Sequence, residues 1–292
     1  MTKLLHHIFY VTVILTTLFT SGCQKLSEDE IPSYLAVDTI SVKVNSMQGT
    51  ASQNIFDTWV YADNDLIGGF ELPARMPILK AGTTELTIFA GIKLNGMNET
   101  RVPYPFYESI KKTVSLVRDS VIDLGHLKFS YEDGTKFAWL ENFEQYNITV
   151  DSTARSEVNL VRTYVPELAA AYPFELNEYA AKVVIPSDSL IFESISHDSF
   201  KLPTDGSSVF LEMNYKTNNA FTVGIVANGT VASQKAVLVI NPNSNWNKIY
   251  INLTPSVSAS TASSFRIYFS AMKSTDDDEA IIMFDNLKLL HF

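Results

Sequence analysis

From residue 40 apolar side chains recur at every second position over a short stretch. Ile40, Val42 and Val44 alternate with Ser41, Lys43 and Asn45, the period of a strand buried on one face. Residues 57–61 and 66–72 are two further runs rich in aromatic and branched side chains. The short polar stretch Ala62-Asp63-Asn64-Asp65 between them suits a tight turn, so the pair reads as a hairpin. Pro73 and Pro77 are expected to stop regular pairing, Lys80-Ala81-Gly82-Thr83 turns the chain, and 85–92 is the next strand. From about Tyr131 the short period resumes in runs at 158–164, 181–185, 190–195, 208–215, 221–227, 236–240, 248–253, 265–271 and 280–289. Asp205-Gly206, Asn218-Asn219, Asn228-Gly229 and Asn241-Pro242 supply turns between them. Only 166–179 suits a short helix. The pattern predicts an all-β chain of two sandwiches, over 38–127 and 134–292, with a junction at 130–135 around Glu132-Asp133-Gly134.

The N-terminus follows another rule. Lys3, His6 and His7 precede an uncharged, largely apolar run at 8–19, then the small residues Thr20, Ser21 and Gly22 before Cys23. This is the layout of a secretory signal peptide, and the run is shorter than the roughly 20 apolar residues a spanning helix needs. Cys23 is the only cysteine, so it has no internal disulfide partner and is free to accept a lipid. Residues 1–22 are therefore expected to be removed, and 23–37 to form a tether.

Composition narrows the function. Of 292 residues 46% are hydrophobic, 18 are Phe and 13 are Tyr, enough apolar surface to offset the entropy of ordering a chain. Net charge is −10, and Lys111-Lys112 is the one adjacent basic pair, which excludes a nucleic-acid track. After residue 23 the histidines are His126, His197 and His291, with no i, i+4 pair, no Gly-x-Ser-x-Gly elbow and no Gly-rich phosphate loop. No pair of carboxylates is singled out for glycoside hydrolysis. The chain is expected to be non-catalytic. Asp276-Asp277-Asp278-Glu279 lacks the spacing and central Gly of a calcium loop and reads as a solvated turn.

Five resemblances extend this reading. Phe19-Thr20-Ser21-Gly22-Cys23 resembles a lipobox, which implies cleavage before Cys23 and a diacylglycerol anchor on it. The acidic Ser27-Glu28-Asp29-Glu30 resembles the surface-export signals of Bacteroidota lipoproteins, or is simply a solvated tether; the former implies an outer-membrane protein facing periplasm or cell surface. Asp38-Thr39-Ile40, Asp119-Ser120-Val121, Asp151-Ser152-Thr153 and Asp188-Ser189-Leu190 look like the O-glycosylation acceptors of the same bacteria. Residues 59–68, with Leu72-Pro73 and Gly82, are similar to PEGA-type, immunoglobulin-like sandwiches, which implies a spacer, adhesive or assembly module. Glu141-Asn142-Phe143-Glu144, 209–215 and 282–289 resemble the jelly-roll, galactose-binding-like sandwiches of carbohydrate-binding modules and envelope lipoproteins. That resemblance implies a structural Ca²⁺ shared by Glu144 and Asp285, and hard oxygen ligands suit that ion. A hydrogen-bonded carboxylate pair or a salt bridge is the other reading of these two residues.

Four aromatic residues are candidate contacts. In Arg101-Val102-Pro103-Tyr104-Pro105-Phe106-Tyr107 two prolines hold the backbone extended, so Tyr104 and Phe106 either form an interaction surface or pack on the second sandwich. Trp246 and Tyr250 are either stacking rings for a sugar or core residues. The function expected is that of a structural or assembly partner of other envelope proteins. The alternative is carbohydrate binding at the cell surface.

Overall fold

The computed structural model describes residues 31–171, 177–229, 232–274 and 278–292. Cys23, the segment 1–22, the first part of the expected tether and Asp276-Asp277 lie outside the described residues. With 58% strand and 3% helix the chain is all-β, as the period-two pattern requires.

The first unit has ten strands: β1 (Ser33–Val37), β2 (Thr39–Lys43), β3 (Asp57–Ala62), β4 (Asp65–Glu71), β5 (Ala74–Ile78), β6 (Gly82–Lys93), β7 (Arg101–Pro103), β8 (Ile110–Leu116), β9 (Val121–Asp123) and β10 (His126–Ser130). They form a five-stranded sheet, β4-β3-β6-β7 with β8 also on β6, and two smaller sheets, β5-β1-β9 and β10-β2. Leu35, Val37, Val60, Met76, Leu86, Ile88 and Phe129 fill the space between, each from the inward face of an alternating strand. Asp63 and Asn64 take φ of 50° and 71°, as a tight hairpin turn between β3 and β4 demands. Trp59 lies flat across its neighbours because Gly69 and Gly91 carry no side chain; a Cβ at either would meet the indole at 2.7 Å.

Two expectations are corrected here. Residues 33–37, expected in the tether, form β1, with Leu35 and Val37 fully buried. Pro77 does not end pairing: it sits opposite Tyr34 in β5, an edge strand, where the missing N–H costs no ladder bond on the open side.

The second unit continues with β11 (Lys136–Glu141), β12 (Val150–Ser152), β13 (Val161–Tyr164), α1 (Pro166–Ala171), β14 (Tyr179–Ile185), β15 (Ile191–Ser196), β16 (Val209–Thr217), β17 (Phe221–Asn228), β18 (Ser233–Ile240), β19 (Asn243–Asn252), α2 (Thr254–Ser258), β20 (Ser264–Met272) and β21 (Ala280–His291). One sheet is ordered β13-β14-β21-β16-β19 with β11 also on β21; the other is β12-β15-β20-β17-β18. Phe192, Leu211, Phe221, Phe265, Phe269 and Phe284 interdigitate between them, and Phe269 stacks on Phe284 at 4.7 Å. The short helix expected in 166–179 is α1; α2 was not expected, and Pro255 stands in its first turn, where a missing N–H is harmless.

Candidate functional site

The first unit covers the outer face of β16, β19 and β21. Tyr104, Phe106 and Tyr250 are 2%, 0% and 1% exposed, so the proline-held segment is no surface for an outside partner and Tyr250 is no stacking ring for a free sugar. Pairing of β7 with β6 carries Tyr104 and Phe106 inward, where Tyr104 packs edge-on to Phe210 at 5.5 Å and against Tyr250 at 4.8 Å. Burying these rings against the second sandwich removes far more apolar surface from water than exposing them. At the centre Glu212 is ion-paired with Lys248 at 2.6 Å and accepts the Tyr104 and Tyr131 hydroxyls at 2.8 and 3.0 Å. Lys288 donates to the Thr50 carbonyl at 2.6 Å and to the Tyr131 hydroxyl at 3.3 Å. Burial alone would raise the Glu212 carboxyl, but Lys248 and Lys288 outweigh it and hold it below the ordinary range. Burial, and then the nearby Glu212 carboxylate, push the Tyr104 and Tyr131 hydroxyls well above theirs. This cluster locks the seam.

Burial pushes the Asp285 carboxyl well up, the Asn286 N–H pulls it back, and the Glu144 and Glu141 carboxylates push it further. Asp285 accepts the backbone and side-chain N–H groups of Asn286, at 2.7 and 2.8 Å. Glu144 accepts the N–H groups of Glu178 and Tyr179 at 2.6 and 2.9 Å. Among the described residues no group of three or more His, Cys, Asp or Glu side chains is placed to hold a metal ion. Both carboxylates thus carry the hydrogen bonds of the other reading.

The outer face of β12-β15-β20-β17-β18 is turned to solvent, with Glu193 buried in it at 7% exposure. Phe192, Phe221, Phe269 and Ala271 point to the core, so Glu193, Thr222 and Ser270 between them point out. Strand register places Glu193 opposite Ser270, Ser270 opposite Thr222, and Thr222 opposite Val239, a row crossing four strands. Above this row lies a cleft of about 320 Å³ walled by Arg155, Val239 and Met272. Val239 and Met272 are 58% and 71% exposed, so the cleft has apolar as well as polar walls. Glu193 accepts the Thr153 hydroxyl at 2.8 Å and the Gln234 amide at 3.1 Å, and Arg155 reaches it at 3.6 Å. Beside the row Tyr268 lies flat on the sheet, because Gly224 leaves room that a side chain would take from its ring. Trp246, on the other sheet, is partly exposed and packs beside Val165, Leu168 and Ala180.

Reasoning from the sequence did not find this face. Glu193, Thr222 and Ser270 are ordinary polar positions of strands already expected, and only register brings them into one row.

No family model and no curated protein matches the chain. Among solved structures it is similar to a family 29 carbohydrate-binding module complexed with mannohexaose, at 12% identity over 54% of this chain and 91% of that one, TM-score 0.34. It is similar to the family 11 carbohydrate-binding module of Clostridium thermocellum in complex with a β-1,3-1,4-mixed-linked tetrasaccharide, at 13% identity over 51% and 93%, TM-score 0.34. It is also similar to an arabinose-bound α-L-arabinofuranosidase, at 15% identity over 55% of this chain, TM-score 0.39. The chain spans about a quarter of that enzyme and of an exo-β-agarase, 27% and 24% of their lengths.

Proposed function

We propose that this protein is a non-catalytic glycan-binding lipoprotein of the cell envelope, which takes a sugar chain on the outer face of β15, β20, β17 and β18. The observation that carries this reading is the row Glu193-Ser270-Thr222-Val239 under an open cleft. Sugar hydroxyls need planar, charged or hydroxyl partners, which Glu193, Arg155, Ser270 and Thr222 provide. The C–H faces of a sugar need apolar partners, which Val239 and Met272 provide. Among the residues lining the cleft Glu193 is the one carboxylate, and glycoside hydrolysis ordinarily uses two, so binding without cleavage fits better. The assembly reading drew on Tyr104 and Phe106 as a contact surface, and these are inside the molecule.

Two further parts belong to the same proposal. Cys23 carries the lipid that holds the protein at the outer membrane, by its place after a signal-like segment. Glu144 and Asp285 share a structural Ca²⁺; the support is the buried Asp285 carboxyl, which burial and then the Glu144 and Glu141 charges disfavour in its ionised form, a penalty that a divalent cation would relieve.

Calorimetric titration with soluble hexasaccharides tests the site. Arg155→Ala and Glu193→Gln should each weaken binding at this face by about tenfold or more, with an unchanged melt for Arg155→Ala because that side chain is largely exposed. Wild-type affinity in both variants would reject the cleft.

A further inference from the structure

A second opening lies along the seam, away from the outer-face cleft. It consists of two cavities of about 280 Å³ each, and both are lined by Asn54, Asn247 and Lys248. One extends from there to Trp246 and Glu167, the other to Phe56 and Lys93. Neither unit makes it alone: the loop 52–56 of the first forms one wall, and β19 and α1 of the second form the other.

The polar groups between the two ends are held in fixed orientation. The Asn54 amide donates to the Asn247 side-chain oxygen at 3.1 Å and to the Lys248 carbonyl at 3.0 Å, while the Asn54 backbone N–H donates to the Tyr250 hydroxyl at 3.0 Å. Asn247 in turn donates to the Tyr215 hydroxyl at 3.1 Å. A carboxamide has two N–H donors and two acceptor lone-pair directions. Asn54 therefore keeps its carbonyl oxygen, and Asn247 keeps one N–H, for something in the groove. At the Trp246 end the indole N–H is buried beside the Glu167 carboxylate yet reaches no acceptor in hydrogen-bond geometry. A hydroxyl in the groove would bridge the indole N–H and the Glu167 carboxylate beside it.

We infer that this seam is a second ligand site, shaped for a neutral oligosaccharide lying between Trp246 and Phe56. The two cavities together fall in the range of about 300–1,000 Å³ typical of small-ligand sites, which favour the boundaries between domains. Neutral amides suit hydroxyl groups, which both give and accept hydrogen bonds, and the Trp246 ring suits the apolar face of a sugar, while at the other end the Phe56 ring is capped by Lys93, 3.3 Å from its centre. The lysine in the middle is already matched, since Lys248 is paired with Glu212. An extended peptide fits less well. It would pair with the free edge of β19, but there the Tyr250 carbonyl already accepts the Asn95 N–H, the Lys248 carbonyl accepts Asn54, and the Asn252 N–H is given to the Asn95 side chain.

The test is titration of the full chain with mannohexaose, with cellohexaose and with a neutral Gly-Ser decapeptide, by calorimetry and tryptophan fluorescence. A hexasaccharide should bind wild type at two sites. Trp246→Phe and Asn247→Ala should each weaken one of them by about tenfold or more, and Trp246→Phe should abolish the fluorescence response. Glu193→Gln should weaken only the other. Asn98→Trp, which adds bulk at an exposed lining position without removing any seam side-chain bond, should block the seam and so serves if Asn247→Ala fails to fold. Seam variants that titrate like wild type overturn the inference, and if Glu193→Gln then loses all binding the outer-face reading survives alone. Loss of all binding in the seam variants, with Glu193→Gln unaffected, overturns the outer face and leaves the seam. Binding of the decapeptide but of neither sugar, or of no probe at all, also overturns the seam assignment.

Discussion

Glu212→Gln probes the lock between the two units with little change of shape. The glutamine keeps an oxygen for the Tyr104 and Tyr131 hydroxyls but leaves Lys248 buried without its counter-charge. The gross attraction lost is about 6 kcal/mol, for unit charges 2.6 Å apart at an effective dielectric of about 20. Desolvation offsets part of this in the native protein, and breaking such a buried pair from one side costs about 3–5 kcal/mol net. For a chain of this size the melting temperature should fall by roughly 6–20 °C. The pH dependence has a definite sign. The folded protein holds the Glu212 carboxyl below its ordinary value, so its contribution is complete above the unfolded value of about 4.3 and is lost as pH falls through the folded one. Urea unfolding at pH 7 and in steps from pH 5 to 2 should therefore show a lower midpoint and a shallower acid limb in the variant. The double change Glu212→Gln with Lys248→Met should recover part of the loss, since it removes the unpaired Lys248 charge and keeps an acceptor for the Tyr104 and Tyr131 hydroxyls. A Glu212→Gln protein within about 1 kcal/mol of wild type at pH 7, with the same acid limb, would refute the lock.

Burial and two neighbouring carboxylates raise Asp285, so without a cation its ionisation removes stability as pH climbs from the unfolded value through the folded one. Calcium at about a hundred times its dissociation constant should add about 2.7 kcal/mol and roughly 5–11 °C, and Asp285→Asn should lose this response; superimposable wild-type melts in calcium and in chelator would retire the metal. A fragment of residues 134–292 is expected to unfold cooperatively but at lower denaturant than the full chain, because it leaves Phe210, Glu212, Tyr250 and Lys288 uncovered. Absence of any cooperative transition would show that the division at 130–135 is wrong. Cys23→Ala should abolish lipid labelling and release a soluble protein, whereas membrane retention of a wild type that carries no lipid would disprove the anchor.

Local chemistry was legible in the sequence, and long-range pairing was not. The alternation at 40–44, the Asp63-Asn64 turn and the runs at 221–227, 265–271 and 280–289 all lie within a few residues of observed strands, because side-chain period and turn sterics act over neighbouring positions. Glu144 and Asp285 were paired only through a resemblance. The seam was legible only at Tyr104 and Phe106, for which packing on the second sandwich was one of two readings. Tyr104, Glu212, Lys248 and Tyr250 come from β16, β19 and the segment after β7, and nothing local marks a lysine or a glutamate as one that a partner will follow into the interior. The row on the outer face was hidden for the same reason, since exposed polar positions look alike until register aligns them.

The two strands that open the first unit run parallel to the two that close it, β1 beside β9 and β2 beside β10. Their order along the chain puts the start of β2 and the end of β10 at opposite ends of one ladder. Tension applied between the beginning of the chain and a load gripped by the second unit thus drags these strands past each other lengthwise. The five rungs from Thr39–His126 to Lys43–Ser130 carry that shear together, instead of opening one at a time like a hairpin pulled from its tips. A body strung between an anchor and a moving cargo would hold until the whole ladder slips at once.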